Sequence, residues 1–284
     1  MQKFKQALSA INRVVAVGLG GSRGLALADE NSDYDFVIFR HSGDRIDSKS
    51  IVDAVRPFAD LGKIQDTVGF VRLEVSGKKI DIFQKELSLI EREIHMAKAG
   101  KFNWSIRQLF PHGDLSTCII SHITFLELCS EKDQCLTKLK KLAEPFPLLL
   151  TDSLTKTFAT QASISLIHAN KIQRPTDMQY YIGLCSAFVF FTNIVLFAIN
   201  KKYPVIEKGG SRIITSLPNC PRDYDFRIAK IFRAAAEADF KLASAEMSGI
   251  EKEVKDLIDK VFNSRKTILP NEQPDIAATL NPQT

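Results

Sequence analysis

The sequence predicts an α+β chain in two parts, a mixed α/β region followed by a mostly helical one. Up to about Leu87, short β-branched runs alternate with helical periods. Beyond it the apolar spacing is helical almost throughout. The 284 residues are 45% apolar, enough core for one large domain or two ordinary ones. The expected division is 1–90, 91–268 and a Pro/Asn/Gln-rich tail, 269–284, expected to be mobile.

Each element has a local reason. Residues 3–11 have helical spacing. Residues 13–19 (RVVAVGL) form a β-branched run, hence a strand, closed by Gly20 and Gly21. Residues 33–40 (DYDFVIFR) predict a second strand. In 48–58, Ile51, Val52, Val55 and Phe58 share one helical face. Residues 67–75 and 78–85 predict a strand pair joined at Ser76–Gly77, a hairpin turn signal. Helices are then expected over 87–98, 115–144, 152–171, 176–200 and 223–263, punctuated near Pro145, Pro147, Pro218 and Pro221.

Composition excludes several classes. Charged residues at 25% are ordinary for a globular chain, which excludes collagen-like, mucin-like and wholly disordered proteins. Five cysteines without a CxxC pair are neither a disulfide framework nor a zinc site, and are expected as reduced cytoplasmic thiols. The five histidines lack HExxH spacing. The N-terminal residues have no apolar h-region, so a signal peptide is not expected. Residues 178–200 carry no charge and approach the length of a membrane span. Tyr180, Tyr181, Ser186, Thr192 and Asn193 interrupt them, and the expectation is a buried core helix and no membrane. The net charge of +5 suits an anionic small ligand better than nucleic acid.

The strongest chemical signal lies between the first two strands. Gly20-Gly21-Ser22-Arg23-Gly24 leaves the first strand, and Asp33-Tyr34-Asp35 opens the second. Glycines without Cβ let backbone N–H groups approach phosphate oxygens, and Ser22 adds a hydroxyl. Asp33 and Asp35, two apart on a strand, share a face. Paired carboxylates repel unless a cation lies between them, and hard oxygen ligands suit Mg²⁺ with phosphate oxygens completing the shell. A third carboxylate is expected on a neighbouring strand. In Lys79-Ile80-Asp81-Ile82-Phe83, the isoleucines face the core and Asp81 faces the other way, costly unless that face is a site. Glu74, one strand earlier, competes with it.

These residues resemble the DNA polymerase β-type nucleotidyltransferase superfamily. Gly21-Ser22, a gap of ten, Asp33-x-Asp35 and the later Asp81 carry the resemblance, over residues 13–84. The GGSRG form with Asn31-Ser32-Asp33-Tyr34-Asp35 is similar to its bacterial small-molecule branch, which includes aminoglycoside and lincosamide nucleotidyltransferases. The resemblance implies a mixed β-sheet with helices on one face and a helical domain for donor and acceptor. It implies two Mg²⁺ ions (Mn²⁺ as the alternative) and transfer of a nucleoside monophosphate, AMP by expectation, from ATP or another NTP to a small-molecule hydroxyl, with pyrophosphate leaving. Asp33, Asp35 and Asp81 would be catalytic and hold metal. Gly20, Gly21, Ser22 and Arg23 would hold the triphosphate, as would Lys208 from a segment found in relatives. Reduced cysteines and the missing h-region make a cytoplasmic localisation the expectation. The acceptor, the general base and the oligomeric state are left open.

Two other readings are kept: a non-catalytic nucleotide-sensing or antitoxin-like module, and transfer to a protein or RNA. Weaker motifs are read as structural. Gly209-Gly210-Ser211-Arg212 precedes Asp223-Tyr224-Asp225 with the same spacing as the first motif. No strand enters it, and Asp223 is expected as a helix N-cap. Arg107 and His112 have the RxxxxH spacing of some RNases, but Pro111 interrupts the helix such a site needs. Phe102, Trp104 and Phe110 are expected to pack between the two parts.

Overall fold

The computed structural model describes residues 1–44, 46–60, 64–67, 70–107, 110–205 and 209–268. The expected tail, 269–284, and Lys208 lie outside them. The chain is α+β, a mixed six-stranded sheet followed by a helical region. The first part runs α1 (Gln2–Ala10), β1 (Ala16–Leu19), a single helical turn α2 (Gly21–Gly24), β2 (Tyr34–Arg40), α3 (Ser48–Val55), β3 (Ile64–Thr67), β4 (Phe70–Val75), β5 (Lys78–Glu86) and α4 (Leu87–Lys98). It continues through β6 (Trp104–Arg107), β7 (Phe110–Leu115), α5 (Cys118–Phe125), β8 (Glu127–Glu131) and α6 (Cys135–Leu142). The helical remainder comprises α7 (Leu148–Ala169), α8 (Met178–Ile199), α9 (Gly210–Ile214), α10 (Tyr224–Ala236) and α11 (Phe240–Ile268).

The sheet order is β3-β4-β5-β2-β1-β8. Its pairings are antiparallel except β2 with β5, which run parallel. Alternation along the strands divides the side chains between two faces. Val17, Phe36, Ile38, Leu73, Ile80 and Ile82 form one core with Phe4 and Leu8 of α1 and Ile51 and Val55 of α3. Ala16 and Phe39 turn the other way and join the core of the helical region. The carboxylates lie on this second face, out of phase with the isoleucines.

Two expectations between residues 99 and 144 need correction. The predicted helix over 115–144 is α5, β8 and α6. Asp133 and Gln134 both adopt left-handed backbone (φ 51° and 53°), which ends β8 and redirects the chain into α6. β8 (ELCSE) has no β-branched run. It exists because β1 offers an edge, which Lys132 extends by donating its N–H to the Val15 carbonyl at 2.8 Å. Leu126, just before β8, fills the space above Gly18, where a Cβ would stand 1.9 Å from its Cδ2. The second correction is the hairpin β6–β7, which had no predicted counterpart. Trp104 holds it to the helices, edge-on to Phe158 and Phe191 at ring separations of 5.3 and 5.5 Å, with Nε1 donating to the His112 carbonyl. Trp104 and Phe102, expected to pack between the two parts, pack instead on Phe158 and Phe191 within the helical part. The side chain of Phe110 lies outside what is described, and His112 pairs with Ser186 of α8 at 2.7 Å.

By length and composition α8 could cross a membrane, yet 61% of its most apolar window is buried inside the protein. Tyr181, Phe188 and Phe197 are fully buried there. The Tyr181 hydroxyl donates to the Phe240 carbonyl at 2.8 Å and lies 2.9 Å from Ser244 Oγ, and burial pushes its pKa from 10.0 up to about 12. A raised folded-state pKa contributes stability that is complete below pH 10 and lost as pH rises from there through 12. Tyr181→Phe should therefore lower stability by about 1 kcal/mol at neutral pH and flatten the alkaline loss over pH 10–12, read by urea unfolding at each pH. An unchanged alkaline slope would remove Tyr181 from that account.

Candidate active site

The register of β2 against β5 pairs Asp35 directly with Asp81 on adjacent parallel strands. In-register neighbours project to the same face, so the two carboxylates stand side by side. Ile80 and Ile82 are fully buried in the opposite core, which forces Asp81 to the site face. Asp81 is 5% exposed. Glu74 lies opposite Lys79, farther along β4, so the register sets Asp81 and not Glu74 beside Asp35.

Asp33 precedes β2, in a loop with its own internal ties. Asp29 accepts from the Asn31 N–H and the Ser32 hydroxyl, and these bonds hold its carboxyl below the usual range. Arg23 clamps the end of this loop onto α2. Its guanidinium donates to the carbonyls of Ser32 (2.8 Å) and Asp33 (3.2 Å) and lies 3.8 Å over the Tyr34 ring. Arg23, expected at the triphosphate, is thus placed as the brace of the Asp33 loop.

The glycine loop meets the carboxylates at Gly21. Gly21 has φ +57°, and a Cβ there would fall 1.8 Å from Asp35 Oδ2. The Asp35 carboxylate therefore rests on the bare Cα of Gly21. The Gly20 N–H is already spent on the Asp35 carbonyl at 2.8 Å, so Gly20 ties loop to strand. The amides of Gly21 and Ser22 open the α2 turn, where the first N–H groups have no intrahelical acceptor.

Arg72 completes the cluster, and the motif search did not find it. It lies on β4 opposite Asp81, and its Nε and Nη2 bond Asp81 Oδ1 and Oδ2 at 2.6 and 2.5 Å. This is a two-pronged guanidinium–carboxylate pair, the strongest common form. Asp81 first, then Asp33 and Asp35, hold the Arg72 charge more firmly than usual. A sequence signal did exist. Val71 and Leu73 are buried on either side, so alternation sets Arg72 on the same face as Asp81.

Among the described residues, no group of three or more His, Cys, Asp and Glu side chains is arranged to hold a metal ion. Asp33 and Asp35 carry hard carboxylate oxygens, the donor type that a divalent cation takes. Arg72 bonds both oxygens of Asp81, which leaves each a further lone pair.

The second glycine motif lies close to the first. Gly209 has φ +86°, and a Cβ there would stand 2.5 Å from Leu27 Cδ1, in the loop after α2. The Leu27 N–H in turn donates to the Ser22 carbonyl at 2.8 Å. Next to Gly209 is a cavity of about 310 Å³ lined by Phe190, Asn193, Ser211, Arg212 and Asp225, among others. Among the described residues no strand lies between α8 and α9, and Asp223 precedes α10 without a side-chain capping bond.

No protein-family model matches the chain, and no curated protein matches it. Among solved structures it is similar to a nucleotidyltransferase-like protein from Exiguobacterium sibiricum 255-15, with a TM-score of 0.43 and 9% identity, covering 96% of this chain and 81% of that one.

Proposed function

We propose that this chain is a metal-dependent nucleotidyltransferase. It moves a nucleoside monophosphate, AMP by expectation, from an NTP to the hydroxyl of a small molecule and releases pyrophosphate. The observation that carries this reading is the in-register pair Asp35 and Asp81, with the Asp35 carboxylate seated on Gly21 of the glycine loop. A divalent cation held by Asp33 and Asp35 would neutralise phosphate charge. The chain's own groups do the rest. Gly21 and Ser22 present backbone N–H groups and a hydroxyl to the triphosphate. Arg23 holds the Asp33 loop in place. In the transfer, the acceptor oxygen bonds to the α-phosphorus as the bond to the β-bridging oxygen breaks. Pyrophosphate leaves with that electron pair, and the acceptor proton passes to solvent. Most of the acceleration comes from alignment and charge neutralisation. We assign the acceptor to the cavity beside Gly209, whose rim carries opposite charges in Arg212 and Asp225.

The Arg72–Asp81 pair favours a second reading, a nucleotide-binding module without turnover. Pyrophosphate release, measured with four NTPs across a panel of hydroxyl-bearing metabolites and antibiotics, separates the two. Release with one NTP and one acceptor class supports transfer. Nucleotide binding without release from any combination supports the module.

A further inference from the structure

We infer that Arg72 receives a phosphate-type oxyanion of the substrates, on the edge of its guanidinium that Asp81 does not hold. This deepens the nucleotidyl-transfer reading and rests on it for what the substrates are. Arg72 Nε and Nη2 bond the two oxygens of Asp81 at 2.6 and 2.5 Å. A guanidinium has five N–H groups, so three remain, two on Nη1 and one on Nη2. Among the described residues none of these three meets a protein acceptor. The side chain of Arg72 is 41% exposed while that of Asp81 is 7% exposed, so one edge lies against a buried carboxylate and the rest reaches solvent.

An exposed arginine ordinarily loses side-chain entropy when it orders itself on a ligand. Arg72 is ordered already. It stands opposite Asp81 in the β4–β5 register, between the buried Val71 and Leu73, and its guanidinium lies 5.3 Å from the Phe70 ring. The planar fork is therefore set before a ligand arrives, and its remaining N–H groups suit the oxygens of a phosphate. Location supplies the second argument. Asp81 is the register partner of Asp35, and Arg72 is close enough to Asp33 and Asp35 for both to strengthen the hold on its charge. Carboxylates so placed repel an anionic substrate, and a fixed cation beside them offsets that repulsion where the anion must come close. Lys79 is the natural comparison. It lies two residues before Asp81 on the same face of β5, but it is exposed and no described residue holds its ammonium.

The oxyanion belongs either to the donor triphosphate or to an anionic group on the acceptor, and the test separates the two. In the first arm the full chain is titrated calorimetrically, in Mg²⁺, with an ATP analogue carrying a methylene bridge between its α- and β-phosphates. Arg72→Lys keeps the charge but loses the fork, and should weaken binding about tenfold. Arg72→Gln with Asp81→Asn keeps the net charge, and should weaken binding by about tenfold to a hundredfold. Its affinity should also fall less steeply with added salt, because an ionic contact is gone, which a purely structural role of Arg72 would not produce. Lys79→Gln should change affinity less than about threefold. Circular dichroism and a melting curve establish that each variant is folded, and should the double variant fail to fold, Arg72→Lys decides by itself. In the second arm, pyrophosphate release gives the KM of hydroxyl acceptors with and without a phosphate or carboxylate. A rise of about tenfold in Arg72→Lys for the anionic acceptors alone, with triphosphate affinity unchanged, assigns the oxyanion to the acceptor. Changes under about twofold in both arms, or changes in Lys79→Gln equal to those in Arg72→Lys, would overturn the inference and leave nucleotidyl transfer standing. A wild-type chain that neither binds the triphosphate nor releases pyrophosphate would overturn both.

Discussion

Asp35→Ala should abolish nucleotidyl transfer while the fold survives, with turnover falling by about 10³-fold or more. Asp35 is the residue on which the site converges: it pairs with Asp81 across β2 and β5, its carbonyl anchors the Gly20 N–H, and its carboxylate rests on Gly21. The mutation removes only the carboxylate. The backbone bond to Gly20 remains, and so does the β2 ladder, so the melting temperature should move by no more than a few degrees. Removing one negative charge also lowers repulsion beside Asp81. Pyrophosphate release and a thermal melt on the same preparation check both parts. Release at the wild-type rate in a folded Asp35→Ala chain would end the nucleotidyltransferase reading.

Gly21→Ala is expected to do damage of a different kind. At φ +57° an alanine is strained by about 1–2 kcal/mol. Its Cβ would also stand 1.8 Å from Asp35 Oδ2, so the carboxylate must leave its seat. A displacement of about 1 Å in a reacting array costs on the order of 10²-fold in rate. The expected result is a stability loss of about 2 kcal/mol together with a roughly hundredfold fall in turnover. Gly77→Ala is the control. Its φ is +75°, but nothing lies within 4 Å of an added Cβ. It should show the conformational strain alone, with full turnover. Equal losses of turnover in both variants would show that contact with Asp35 is not what Gly21 protects.

The legible elements are those with a strong local pattern. The Leu87–Lys98 helix is as predicted because its apolar spacing and its ends are both local. β5 was readable because Ile80 and Ile82 alternate with Asp81. β3, β6, β7 and β8 were not. They are four to six residues long and have no alternating β-branched run, so pairing with a neighbour stabilises them more than propensity does. The final predicted helix, 223–263, is interrupted between Ala236 and Phe240, where Ala238 takes φ +58°, a turn that its alanine-rich sequence hides.

The candidate site divides in the same way. By itself the sequence determined the motif residues, because glycine spacing and two-residue alternation are properties of one strand and its flanking loop. Asp33, Asp35 and Asp81 could be named that way. Tertiary structure decided what those residues touch. Asp81 is held by Arg72, Arg23 braces the Asp33 loop, Gly20 spends its N–H on Asp35, and the second glycine motif meets Leu27 beside a cavity. Each of these contacts joins segments whose relative register comes from packing two cores against one sheet. Short-range pattern carries no information about that register, and a one-residue slip in β4 or β5 would turn Arg72 or Asp81 into the opposite core.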